Sequence, residues 1–365
     1  MRKLPQLCQQ VGQLLIMGFD GVEPTEKLCA MLARLQPGGV ILFKRNILDA
    51  QQTWELLRGC RESAGIPMFL CVDMEGGTVD RLREAVAPAP SVEEVAASAE
   101  KKTFREHGRV IGEEVRALGF NTDFAPVLDL RQAASRSVLG TRTASPDPEE
   151  TAVYAREFLH GLRDARVLGC GKHFPGLGEA SLDTHQELPS VEKPWRRLWE
   201  EDLLPYRVLR RELPLVMVAH AAYPAVTKDA TPASLSPKWI GDILRKKIGY
   251  RGLIVSDDLE MGGVLAAAPI GQAAVETIRA GSDIFLVCHN EDHVVAAYEA
   301  VVRAAEREPR FRARVAEASR RVLAFKKKAP ELKRPAPVPT PEKIERMRHR
   351  IRIFSERVKS ATVVM

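Results

Sequence analysis

Lys172 and His173, followed by Pro175, Gly176 and Gly178 and then by Asp183 and His185, bring an ammonium, two imidazoles and a carboxylate into one short stretch. The run just before them, Val167-Leu168-Gly169-Cys170, is brief and apolar, the pattern of a buried strand, so the charged groups emerge where that strand ends. Asp183, two residues before His185, can accept a hydrogen bond from one ring nitrogen, which fixes the tautomer and raises the basicity of the other. A second apolar run, Leu253-Ile254-Val255-Ser256, ends in Asp257-Asp258. Adjacent strand residues point to opposite faces, so Asp257 and Asp258 are expected to face apart.

A carboxylate and a separate proton donor are what cleavage of a glycosidic bond requires. The transition state carries oxocarbenium charge on one side and alkoxide character on the other. Asp257 can supply the carboxylate and His185 the proton, although most enzymes of this chemistry use a second carboxylic acid. Two alternatives stay open on the residues alone: Asp257 as the cap of a following helix, and the Asp-x-His pair as metal ligands. No HExxH motif or Cys/His cluster supplies further ligands, so no metal is expected.

Positioning such groups needs a rigid frame. Apolar, β-branched runs occur at Leu14–Phe19, Gly39–Phe43, Met68–Val72, Asn121–Val127, Val167–Cys170, Leu215–Ala219, Leu253–Ser256 and Asp283–Val287. Segments with helical spacing lie between them, at Thr25–Leu35, Ala50–Ser63, Thr103–Leu118, Glu149–Leu162, Leu198–Arg210, Pro237–Lys247 and Ala268–Ala280. Strand and helix alternate, and eight strands predict an α/β protein built as a closed (β/α)8 TIM-type barrel. The C-terminal exits of the runs carry Lys44, Arg45, Asp73, Glu75, Asp129, Lys172, His173, His220, Asp257, Asp258 and His289, and barrel enzymes build their sites at that rim. His220 ends its run where it can orient Asp257 or a substrate. His107, His160, His293 and His349 sit in polar helical segments and read as surface residues.

The 365 residues, 45% hydrophobic, suffice for one large domain. A net charge of +6 without any matching motif predicts no nucleic-acid partner. Gln9, Gln10 and Gln13 interrupt any signal-peptide core, and no apolar run reaches the length of a membrane span. Six scattered cysteines without a CxxC pair read as free thiols in a reducing cytoplasm. The expected divisions are a catalytic domain over 1–328, a Pro-rich linker over 329–340 and a terminal amphipathic helix and tail over 341–365. Ile344, Met347, Ile351, Phe354 and Val358 recur at helical spacing in that last segment, and seven Lys/Arg against three Glu over 341–359 make its polar face basic.

The segment Lys172-His173-Phe174-Pro175-Gly176-x-Gly178 with Asp183-x-His185 resembles the signature of family 3 glycoside hydrolases of the bacterial NagZ type, the β-N-acetylglucosaminidases of peptidoglycan recycling. The resemblance extends through Gln36–Phe43, Asp73-Met74-Glu75-Gly76-Gly77, Gly140-Thr141-Arg142, Pro232-Ala233-Ser234-Leu235-Ser236 and Ser256-Asp257-Asp258-Leu259-x-Met261, covering about residues 10–325. It implies a covalent nucleophile at Asp257, a general acid/base at His185 held by Asp183, and a terminal β-linked GlcNAc bound by Asp73, Arg81, Arg142, Lys172 and His173. It implies no cofactor and a carbohydrate substrate. The alternatives are a family 3 β-glucosidase or a glycosyl phosphorylase, and a barrel that binds sugar without turning it over.

Overall fold

The computed structural model describes residues 5–180 and 188–363, with side chains through residue 360. The described residues form ten strands: β1 Leu15–Met17, β2 Gly39–Ile41, β3 Phe69–Val72, β4 Met74–Gly76, β5 Val79–Asp80, β6 Thr122–Asp123, β7 Leu168–Phe174, β8 Leu215–Val218, β9 Leu253–Asp258 and β10 Ile284–Val287. Eight of them close into a parallel barrel in the order β1-β10-β9-β8-β7-β6-β3-β2, and β4 and β5 form a small antiparallel hairpin on its rim. This is the (β/α)8 fold, with helices as the outer layer.

Strands buried on both faces explain the nearly continuous apolar runs. Inward-facing Ile16, Ile41, Phe69, Cys71, Phe124, Cys170, Leu215, Met217, Val255, Ile284 and Leu286 fill the barrel, and Val322 and Leu332 close its floor. Lys326 is buried there, its Nζ 2.8 Å from both Gln13 Oε1 and the Gly38 carbonyl. The helices start on side-chain caps that accept orphan backbone N–H groups. Asp49 receives Gln52 N at 2.9 Å, and Asp147 receives Glu149 N and Glu150 N at 2.8 and 2.9 Å.

Two departures from sequence expectation have local causes. The helix expected over Leu198–Arg210 is two short ones, Trp195–Glu200 and Leu204–Leu209. Pro205 has no N–H to donate within a helix interior and its ring would clash with the preceding turn, so the chain breaks and restarts with the proline in the first turn. The break lets Asp202 and Glu201 turn onto the fully buried Lys193, at 2.6 and 2.7 Å. The second departure is His107, which is buried at 0% exposure rather than on the surface. It lies on the inner side of the helix Lys101–Ala117, under a final helix, Pro341–Val363, that packs across it.

That final helix buries Ile344, Ile351, Phe354 and Val358. Each such side chain contributes roughly 1.5–3 kcal/mol relative to leaving it in water. The segment before it is packed as well: Pro330–Lys333 forms one helical turn, and Trp54 Nε1 donates to the Ala336 carbonyl at 3.1 Å.

Candidate active site

The C-terminal ends of the strands surround a cavity of about 480 Å³. Lys172, His173, Asp257, Asp258, Asp73, Glu75, Arg81, Arg142 and His289 all line it, so the structure brings together the rim residues contributed by β3, β7, β9 and the loops between them. Asp183 and His185 lie outside the described residues. The described chain leading to them is firmly held: Tyr223 Oη donates to the Gly176 carbonyl at 2.6 Å, and Leu177 N donates to Asp129 at 2.8 Å.

Asp257 and Asp258 were expected on opposite faces, yet both line the cavity. The reason is a β-bulge. Between the pairings Ile284↔Val255 and Leu286↔Asp258, β9 uses one residue more than β10. The extra residue breaks the two-residue alternation, and Ser256 Oγ takes up the Leu286 N–H at 3.1 Å that the ladder leaves over. The same irregularity occurs in β7, where Gly171↔Val216 is followed by Phe174↔Val218, and there Lys172 and His173 both face the cavity.

One wall is a four-membered ion-pair network. Lys172 Nζ contacts Asp73 Oδ1 at 2.7 Å and Glu75 Oε1 at 2.6 Å, and Arg142 grips Glu75 in a bidentate pair at 2.8 and 2.9 Å. Burial works to neutralise Glu75, Lys172 and Arg142, but the opposite charges around them outweigh it. Glu75 is held well below the ordinary carboxylate range by Arg142 and Lys172, and Lys172 is held above its usual value by Asp73 and Glu75. The network is therefore charged yet neutral in sum. Glu75 is the keystone that sequence reasoning placed on the rim without a role. Asp73 and Glu75 share a face at a two-residue spacing, which was a signal for a paired function.

His173 is oriented from behind. Its Nδ1 lies 2.6 Å from Asp129 Oδ2, so it donates there and leaves Nε2 as an acceptor toward Arg142 Nη2 at 3.5 Å. Asp129 also receives the His173 backbone N–H at 3.2 Å. Arg81 reaches the cavity, with its guanidinium 6.0 Å from the Phe43 ring centre and its buried Nε without a hydrogen-bond partner among the described residues.

At the opposite wall, Asp257 is half-buried at the exit of β9 and Asp258 N donates to its Oδ1 at 2.8 Å. Burial pushes its pKa up, but His173, His220, the backbone N–H and Lys172 together hold it below the ordinary aspartate value. The carboxylate is thus held as an anion, the form that can face developing positive charge. His220 is fully buried beside it. Its Nε2 donates to the Asp258 carbonyl at 2.8 Å and its Nδ1 pairs with Ser234 Oγ at 2.7 Å, while burial lowers the pKa of the ring. Ser234 thus explains the Pro232–Ser236 motif, which sequence reasoning recognised without a task.

Asp258 and Glu260 face His289, with Nδ1 3.1 Å from Asp258 Oδ2, and the pair of carboxylates raises this imidazole to about 9. Glu260 also accepts the Asn290 N–H at 3.0 Å and contacts His293 Nδ1 at 2.8 Å. These contacts tie the β10 exit to β9.

The profile of the glycosyl hydrolase family 3 N-terminal domain matches residues 6–325. The chain belongs to that family. A β-hexosaminidase of Idiomarina loihiensis is 35% identical over 298 residues, 80% of this chain and 89% of that one. One from Alkalilimnicola ehrlichii is 37% identical over 289 residues, 77% and 82% of the two chains. A family 3 β-N-acetylglucosaminidase structure from Paenibacillus sp. superposes with a TM-score of 0.88 at 33% identity, covering 96% of this chain and 69% of that one. The β-N-acetylglucosaminidase of Thermotoga maritima gives 0.77 at 28% identity, covering 88% and 68%. This family 3 hydrolase therefore has relatives of one activity among both its sequence and its structural neighbours.

Proposed function

We propose that the protein is a retaining exo-β-N-acetylglucosaminidase that releases terminal β-linked GlcNAc through a covalent glycosyl-enzyme. The observation that carries this reading is the ionised Asp257 carboxylate at one wall of a cavity whose opposite wall is the Asp73–Glu75–Lys172–Arg142 network. The names of its relatives supply the N-acetylhexosamine specificity.

In this mechanism Asp257 attacks the anomeric carbon as the glycosidic bond breaks, and His185, held by Asp183, protonates the departing oxygen. His185 then takes a proton from water, which attacks the same carbon and frees Asp257. Two inversions give net retention. Lys172, Arg142 and Arg81 donate to the sugar hydroxyls, the free His173 nitrogen accepts from one, and Asp73 accepts from them. The donors are already charged and fixed before substrate arrives, so little reorganisation is needed.

A role in peptidoglycan recycling within the cytoplasm follows from the family resemblance. The six cysteines, all unpaired and four of them buried, suit a reducing compartment. No described helix is long and apolar enough to cross a membrane.

The decisive experiment is hydrolysis of aryl β-glycosides that differ only at C2, with and without phosphate. Preferential release from the N-acetylglucosaminide, unaffected by phosphate, is expected. Equal or faster turnover of the glucoside would move the assignment to a β-glucosidase, and sugar phosphate as product would make it a phosphorylase.

A further inference from the structure

The family match ends at residue 325, and nothing in the mechanism above uses the helix Pro341–Val363. Its contacts converge on the back of the ion-pair wall. The Phe354 ring stacks on the His107 imidazole, centres 5.9 Å apart and planes at 23°. His107 is locked in turn: Nδ1 is 2.9 Å from Tyr154 Oη, and the ring stands edge-on to Phe158 at 5.3 Å. Burial lowers its pKa to about 3, so it acts as a neutral packing group.

The far edge of that imidazole touches the hairpin that carries Glu75. A Cβ on Gly76 would fall 3.2 Å from His107 Nε2 and 2.2 Å from the Pro90 carbonyl oxygen, so residue 76 is pressed between the two. Its φ of +85° adds a second requirement for glycine. The segment 81–90, on the outer side of the hairpin, is bound to it by Gly77 N to the Ala89 carbonyl at 3.0 Å and by Asp80, which accepts Leu82 N and Ala89 N at 3.1 and 2.9 Å. The final helix holds the same segment: Arg348 donates to the Val86 and Ala85 carbonyls at 2.9 and 3.2 Å.

We propose that the final helix is a positioning element of the sugar site, in which Phe354, acting through His107, and Arg348, acting through residues 85–90, fix the hairpin that sets Glu75 against Arg142 and Lys172. This rests on the reading of the cavity as a GlcNAc site. Loosening the hairpin leaves Asp257 and its neighbours untouched, because β9 and β8 hold them from the other side of the barrel. Affinity for the sugar should therefore fall while the chemical step changes little.

The test uses full-length Arg348→Ala and Phe354→Ala, with Val322→Ala in the barrel floor as a control for general loss of stability. Two measurements are made well below the melting transition. Amide hydrogen exchange over residues 74–91 needs no ligand and should quicken about tenfold in the two helix variants but not in the control. KM for an aryl N-acetylglucosaminide and the inhibition constant of free GlcNAc should rise about tenfold together, with kcat within about twofold. Unchanged exchange in both helix variants, or quickened exchange with parental KM and inhibition, overturns the proposal. So does a control that shifts KM as much as they do. Failure of GlcNAc to inhibit the parent enzyme would instead sink the reading of the cavity, while exchange still decides whether the helix holds the hairpin.

Discussion

Glu75→Gln removes one negative charge from the centre of the ion-pair wall while keeping the shape of the side chain. Glu75 is 1% exposed and receives Arg142 twice, at 2.8 and 2.9 Å, and Lys172 at 2.6 Å. Removing one partner of a buried pair costs about 3–5 kcal/mol, because the charge left behind stays desolvated. Lys172 retains Asp73, so the low end applies, about 3 kcal/mol. At roughly 2 °C per kcal/mol for a chain of this size, Tm should drop by about 6 °C at neutral pH. The folded carboxylate titrates below its unfolded value near 4.3, so its contribution is present above that pH and is lost as pH falls below it. The parent and Glu75→Gln should therefore differ most above about pH 5 and converge as the pH drops below about 4. Calorimetric Tm from pH 3 to 8 measures both quantities. A difference under about 1 °C at pH 7, or one that stays constant down to pH 3, would refute the view that this network is held by charge.

Asp257→Ala should lose at least about 10⁴ in kcat/KM with an unchanged Tm, since it removes a nucleophile and no core packing, and NMR of early products from the parent should show the β-anomer first. Product in the α form would remove the covalent step. His185→Ala should lose far more kcat/KM on an N-acetylglucosaminyl disaccharide than on a glycoside with an acidic phenol. A dependence on leaving-group pKa no steeper than the parent's would mean another group is the acid. His220→Gln keeps a donor for the Asp258 carbonyl, so it should retain about tenfold more kcat/KM than His220→Ala, an interval worth ~1.4 kcal/mol; equal losses would show that this hydrogen bond does not position the nucleophile strand. Burial lowers the Lys326 amine to about 7, below its unfolded value near 10.4, so the unfolded chain binds the extra proton in between and stability should rise with pH from about 7 to 10. Lys326→Met should flatten that rise in denaturant melts.

Much of this architecture was legible because parallel barrel strands are buried on both faces and appear as unbroken apolar runs. The eight runs named from sequence all fall on barrel strands, and their exits gave Asp73, Lys172, His173 and Asp257 in one cavity, with His220 buried behind Asp257. Arg81 and Arg142 sit in irregular segments, where no periodicity announces them, and came only through the family resemblance. His107 was misread because charged neighbours obscured its place in a stripe with Phe104, Ile111 and Val115, all buried on one side of the helix. The break at Pro205 was readable from the proline itself. Bulges were not, since an extra residue leaves no compositional trace.

Those bulges in β7 and β9 make strand length a constraint on this site. A substitution at Lys172 or Asp257 changes a side chain, whereas deletion of one neighbouring residue would restore a regular pleat and swing every later side chain of that strand to the other face. Lumen groups would turn into the helix layer and apolar ones into the cavity. The reading phase of two short strands is therefore part of the catalytic apparatus, and length there should be held far more strictly than in the segments that join the strands to their helices.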